Sequence, residues 1–179
     1  MAVGRKSRTF AARTFSAALS AVVALAGCGA GGAGGDSAGP APGSVLRAHV
    51  TRVVDGDTIE VRLPGGGEED VRYIGVDTPE TVKPGTPVQC FGPAASAFNH
   101  ALVEGRDVRL VVGPEARDVY GRLLAWVHLG RRFVNAELLR RGLARTLAIP
   151  PNTRYAARFS RIQKAAARGG RGLWGACVP

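Results

Sequence analysis

Thr58-Ile59-Glu60-Val61-Arg62-Leu63, then Pro64-Gly65-Gly66-Gly67, then Asp70-Val71-Arg72-Tyr73-Ile74-Gly75-Val76, is the stretch on which the fold turns. Apolar Ile59, Val61 and Leu63 alternate with Glu60 and Arg62, the period of two that marks a half-buried strand. The Pro-Gly run is a turn, so the strand from Asp70 to Val76 must come back beside the first. Upstream, Val45 to Val54 is β-branched and apolar and joins the pair through Asp55-Gly56-Asp57. This part of the chain reads as a three-stranded antiparallel meander.

Downstream, a loop carrying Pro79, Pro84 and Pro87 gives way to Ala94, Ala97, Phe98, Ala101 and Leu102 at helical spacing. Pro93 in the first turn and Gly105 as the stop predict a helix over residues 93–104. Asp107 to Val112 and Arg122 to Leu129 supply two more strands. Val134, Leu138 and Leu139 ahead of Gly142 make a short helix. Tyr155, Phe159, Ile162 and Ala166 share one face of a last, basic helix before Gly169-Gly170. The order β-β-β-α-β-β-α-α predicts an α+β domain over residues 45–179, a five-stranded OB-fold barrel flanked by three helices.

The 179 residues leave no room for two large domains. Residues 1–27 carry Arg5, Lys6, Arg8 and Arg13 with no acid, then an apolar run from Phe15 to Ala26, the order of a secretory signal. That run ends in Leu25-Ala26-Gly27-Cys28, which resembles the lipobox of bacterial lipoproteins, so Cys28 is expected to carry a lipid. Residues 28–44 are the expected lipid-anchored linker, because a stretch of seven Gly, four Ala, two Pro, two Ser and one Asp over 29–44 cannot bury enough apolar surface to fold. Its r.m.s. span is roughly 22 Å. The expected location is the outer face of the cell membrane, with partial release. No second apolar run of membrane-spanning length follows, and three Cys and three His, all far apart, offer no zinc cluster.

With Cys28 committed to lipid, Cys90 and Cys177 are left as an even pair in an oxidising compartment, and a disulfide between them is predicted. Charge is uneven. Residues 45–130 carry 9 basic and 12 acidic groups, whereas residues 131–179 carry 11 basic groups against Glu137 alone. A polyanionic partner fits that distribution.

Three constellations bear chemistry. Asp55-Gly56-Asp57-Thr58 places carboxylates at a Gly-relaxed strand junction, and hard oxygen ligands favour Ca²⁺ or Mg²⁺. Asp77-Thr78-Pro79-Glu80 ends the third strand, and the prolines that follow leave little helix for it to cap. Asp118-Val119-Tyr120-Gly121-Arg122 sets a guanidinium beside a Gly at a strand start. Arg72 lies five residues before Asp77, so simple alternation puts the two on opposite faces unless a bulge or barrel bend intervenes. Three or more carboxylates for one hard cation, with two arginines able to neutralise a phosphate, suit metal-assisted phosphodiester cleavage. His49, His100 and His128 sit singly, and Trp126 and Trp174 read as core or tail-packing residues.

Asp-Gly-Asp-Thr, then Arg-(four residues)-Asp-Thr-Pro-Glu-Thr, then Asp-x-Tyr-Gly-Arg, then Asn135 to Ala144 and a late Gly-Leu-Trp, in that order, resemble the staphylococcal nuclease (thermonuclease) family. The resemblance covers about residues 45–175. It implies a Ca²⁺-dependent, monomeric enzyme that hydrolyses DNA and RNA to 3′-phosphorylated products. By the same resemblance Asp57, Asp77 and the Thr78 carbonyl bind the metal, with Asp55 nearby. Arg72 and Arg122 clamp the phosphate, Glu80 acts on the attacking water, and Tyr120 contacts the nucleotide. Two departures stand out. Arg145 to Pro150 has no aromatic ring where the family packs one on a base, so base stacking is expected to be lost, and Val119 replaces a common Lys. A non-catalytic OB module that binds nucleic acid or protein is the other reading, and the full set of acids and arginines weighs against it.

Overall fold

The computed structural model describes residues 39–81 and 85–177. Residues 1–38, including Cys28, lie outside them. Eight strands and four helices follow in chain order: β1 (Val45–Val53), β2 (Thr58–Arg62), β3 (Glu68–Tyr73), β4 (Gly75–Asp77), α1 (Gly92–Val103), β5 (Asp107–Arg117), β6 (Leu123–Leu129), β7 (Arg132–Phe133), α2 (Val134–Arg140), β8 (Arg145–Leu147), α3 (Ala156–Arg168) and α4 (Leu173–Ala176). The main sheet runs β3-β2-β1-β5-β6-β7, and a parallel pairing of β3 with β6 closes its first five strands into a barrel. Closure removes the open edges that a flat meander would leave. Val50, Ile59, Val61, Val71, Leu110, Val112, Leu123 and Ala125 fill the interior, each at an alternating position of its strand.

The third strand departs from the sequence expectation. It stops at Tyr73, and residues 75–77 form a separate strand paired with β8 outside the barrel. Gly75 is the cause. Its φ is +82°, a conformation that costs other residues, and a Cβ there would sit 2.7 Å from the Phe159 ring of α3. The break would orphan backbone groups, but buried Asn135 of α2 donates from Nδ2 to the Ile74 carbonyl at 2.9 Å and accepts from the Val127 N–H at 2.9 Å. A helix is thereby hooked to the barrel where its strand changes direction. The fifth strand is also longer than expected, reaching Arg117, with its register shifted beyond Val112.

The helices cover one side. Phe159 and Ala166 are the buried residues of amphipathic α3, Phe159 packing beside Phe133 and Tyr155. Cys90 and Cys177 are joined by a disulfide with their Cα atoms 5.9 Å apart, tying the loop before α1 to the tail beyond α4. On the chain-entropy model a loop of that length stabilises the fold by about 4 kcal/mol or slightly more.

Candidate active site

Two loops meet at the lower end of β2 and β3. The β1–β2 connection is tight: the N–H groups of Val54 and Asp55 both donate to the Thr58 carbonyl, at 3.0 and 3.3 Å, and Asp57 N–H donates to Asp55 Oδ1 at 3.0 Å. Gly56 leaves room for its neighbour, since a Cβ there would lie 2.7 Å from the Thr78 side chain. The Asp77-Thr78 loop can therefore close in, and Thr78 N–H donates to Asp57 Oδ2 at 2.7 Å. Buried Asn99 of α1 holds the floor, donating to the Asp55 carbonyl and accepting from the Tyr73 hydroxyl, both at 3.0 Å.

Arg72 lies between the acids. Its Nη2 is 3.2 Å from Asp57 Oδ2 and 2.8 Å from Asp77 Oδ1, while Nη1 donates to the carbonyls of Tyr73 and Val76 at 3.0 and 2.8 Å. The bend at Gly75 is what turns Asp77 back to the face of Arg72, resolving the alternation that a straight strand would impose. Because both carboxylate oxygens touch one nitrogen, they are no more than the sum of those two lengths, 6.0 Å, apart. Asp57 is only 3% exposed, and that burial pushes its carboxyl up to about 7, with Arg72 and the Thr78 N–H pulling the other way. A buried acid so close to the surface is set to gain from a further positive charge.

Arg122 approaches from the other side. Asp118 grips it, Oδ2 accepting from Nε and Nη2 at 2.7 Å each, while Oδ1 accepts the backbone N–H groups of Tyr120 and Arg122 at 3.0 Å. The guanidinium lies 5.3 Å from the centroid of the Tyr120 ring, which is 81% exposed. Glu80 is anchored through its backbone N–H to Gln89 Oε1, and its Oε1 accepts from Thr81 N–H, both at 2.9 Å. Asp57, Asp77, Thr78, Glu80, Arg72 and Arg122 all line one cleft of about 560 Å³, together with Asp55 and Tyr120.

The carboxylates of Asp55, Asp57, Asp77 and Glu80 all line this cleft. Among the described residues no three His, Cys, Asp or Glu side chains gather into a preformed metal cage. Asp55 Oδ1 caps its own turn, and Asp57 and Asp77 are the pair that touches Arg72. Two carboxylates and the Thr78 carbonyl are an all-oxygen set of the kind a hard cation takes, with water completing the shell. Ligand oxygens on one such ion lie at most about 5 Å apart, so the Asp57 and Asp77 oxygens are within a small side-chain adjustment of sharing one.

The stretch from Arg145 to Pro150 forms β8 and the turn after it. Leu147 and Ile149 are exposed and line, with Leu124, an apolar hollow of about 510 Å³ that shares Arg72, Tyr120 and Arg122 with the cleft. Among these residues Tyr120 supplies the exposed ring, and Leu124, Leu147, Ile149 and Pro150 supply apolar surface beside the charged Arg72, Glu115, Asp118 and Arg122. The Asp-Val-Tyr-Gly-Arg motif by itself gives Asp118 no role. The signal was present in its spacing, since an Asp four residues before an Arg across a Tyr-Gly turn can both cap the turn and hold the guanidinium. His49 pairs with Asp107, His100 with Glu104, and His128 stacks on Phe133, all away from the cleft. Trp126 is buried in the core and Trp174 lies under the Arg145 guanidinium.

Comparisons with known proteins agree with this arrangement. A family model described as staphylococcal nuclease homologue matches residues 70–176. A thermonuclease of Staphylococcus intermedius is 47% identical over 125 residues, covering 70% of this chain and 74% of its own. A thermonuclease of Staphylococcus hyicus is 43% identical over 138 residues, 77% of this chain and 81% of its own. Endonuclease YncB of Bacillus subtilis (strain 168) is 42% identical over 117 residues, 64% of this chain and 55% of its own. The barrel, the cleft and these matches lead to one identification: this chain belongs to the staphylococcal nuclease family.

Proposed function

We propose that this protein is a Ca²⁺-dependent nuclease that hydrolyses phosphodiester bonds in DNA and RNA, acting as an exported, lipid-anchored monomer. The carrying observation is the sharing of Arg72 Nη2 by Asp57 and Asp77 in the cleft that Arg122 also lines. Relatives described as thermonucleases and an endonuclease support the reaction class. The Cys90–Cys177 disulfide supports an oxidising, extracytoplasmic setting, and the sequence around Cys28 supports the lipid.

Asp57, Asp77 and the Thr78 carbonyl would hold Ca²⁺, which supplies positive charge against the anionic substrate phosphate. Arg72 and Arg122 are forked donors whose bonds to phosphate oxygens strengthen as phosphorus gains negative charge on the way to five-coordination. Asp118 fixes Arg122 in advance, so little ordering remains at the moment of reaction. Glu80 faces the cleft and orients or deprotonates the attacking water. A carboxylate with an ordinary value near 4.3 is a weak base for bulk water, so orientation is its first task. The water oxygen bonds to phosphorus, the bond from phosphorus to O5′ breaks, and O5′ leaves with a proton, giving a 3′-phosphate and a 5′-hydroxyl. Leu147 and Ile149 stand in the stretch where the family packs a ring, so base stacking is lost there.

The test is cleavage of single-stranded DNA with Ca²⁺ and again with a chelator, with the products treated with a 3′-phosphatase. Ca²⁺-dependent cleavage to phosphatase-sensitive ends supports the proposal; binding without cleavage contradicts it. Mass spectrometry of the mature N-terminus tests the lipid on Cys28.

A further inference from the structure

The catalytic cleft uses only two of the many arginines, and the rest are not scattered evenly. On the outer face of the barrel, Arg47 of β1 stands directly opposite Arg109 of β5, and Arg109 stands directly opposite His128 of β6. His128 stacks on Phe133 at 4.5 Å, and the guanidinium of Arg158, in the first turn of α3, lies 5.5 Å from the same Phe133 ring. Arg109, His128, Phe133 and Arg158 are therefore contiguous, and partial burial, with the two arginines adding to it, holds His128 down to about 4. Arg47 and Arg109 also line a cleft of about 580 Å³ that shares no residue with the catalytic one.

This arrangement is costly without a ligand. Like charges directly opposite on adjacent strands destabilise a sheet. A cation in the first turn of a helix opposes the macrodipole, and α3 has no acid in that turn. Arg47, Arg109 and Arg158 make no ion pair with any described carboxylate; Asp107, the acid in that cleft, is engaged by His49 at 2.8 Å. Three unpaired guanidiniums in a row across β1, β5 and α3 suit an anion repeated along a line.

We infer that Arg47, Arg109 and Arg158 form a second polynucleotide site, a track for the sugar-phosphate backbone of a strand extending beyond the catalytic cleft. The inference takes the identity of the polyanion from the nuclease reading. Guanidinium forks are matched to phosphate, and two of the three line a concave cleft, a shape that fits a nucleic-acid backbone better than a flat lipid surface. The track adds affinity for long substrates and none for a substrate that fills the cleft alone.

The test is binding of a 30-nucleotide single-stranded DNA by fluorescence anisotropy with EDTA present, so the readout is independent of cleavage. The variant is Arg47→Gln, Arg109→Gln and Arg158→Gln together. The control, Arg140→Gln, Arg168→Gln and Arg171→Gln, removes the same charge elsewhere. The track predicts a dissociation constant at least tenfold higher for the variant and a log–log salt slope shallower by about 2, at about 0.7 per lost phosphate contact. With Ca²⁺, the variant should keep its turnover on a dinucleotide and show a raised KM on long DNA. An equal loss in the control would reduce the track to net charge and overturn the inference. So would unchanged DNA binding combined with lost binding to phosphatidylglycerol vesicles, which would make this a membrane face.

Discussion

Asp57 and Asp77, twenty positions apart in the chain, touch the same guanidinium nitrogen of Arg72, at 3.2 and 2.8 Å. The contact exists because Gly75 breaks the third strand and Gly56 lets the Thr78 loop descend onto Asp57. Site geometry is thus a direct product of two glycines whose side-chain space is taken by neighbours.

Arg72→Lys should be severely impaired. An ammonium cannot reproduce a fork that meets two carboxylates and two carbonyls. Turnover is expected to fall at least 10²-fold, and stability by about 1–3 kcal/mol as acceptors lose their donor. Steady-state kinetics and urea unfolding check both, and a variant with wild-type turnover would remove Arg72 from the phosphate clamp.

Asp118→Asn tests a residue that acts through another. Asn can still accept the backbone N–H groups of Tyr120 and Arg122 but loses the charged grip on the Arg122 guanidinium. A drop of about tenfold in kcat/KM with an unchanged melting temperature is expected. If Asp118 merely braces the turn, a task the Asn oxygen also performs, stability and kinetics will both stay at wild-type values.

Gly75→Ala should destabilise by about 2 kcal/mol or more, because it adds a Cβ at φ +82° against the Phe159 ring. Calorimetry on Gly75→Ala alone and with Phe159→Leu separates the two causes. The second change restores space but not backbone freedom, so only partial recovery is expected.

His128 gives the fold a dependence on pH. Its folded value, about 4, lies below its usual 6.5, so between these values the unfolded chain binds more protons than the native one. Stability is fully present above pH 6.5 and is lost as pH falls towards 4. The ring is partly exposed, and with solvent screening the loss is about 1 kcal/mol. Urea unfolding of wild type and His128→Gln at pH 7.5 and 4.5 should show the smaller decline in the variant.

The barrel was legible because its strands alternate in the plain period of two, as Ile59, Val61 and Leu63 do, and because α3 carries a full helical stripe; α1 turns another face inward than its alanine spacing suggests, burying Ala95, Asn99, Leu102 and Val103 while Ala94, Ala97 and Ala101 stay exposed. Strand β4 and strand β8 were not, since three-residue strands have no period to read and depend on a backbone turn at Gly75 that only the Phe159 contact explains. The site's residue types were legible from motif order. What the motifs could not carry was contact: that Asp55 serves its own turn, that Asp118 holds Arg122, and that Arg72 faces Asp77 across a bend.

Calorimetric titration with Ca²⁺ reads out whether Asp57 and Asp77 bind one calcium ion between them. The wild type should bind one ion in the cleft, and Asp77→Asn, altered at a half-exposed carboxylate with the fold intact, should bind it at least tenfold more weakly. Equal stoichiometry and equal affinity in the two proteins would contradict the claim.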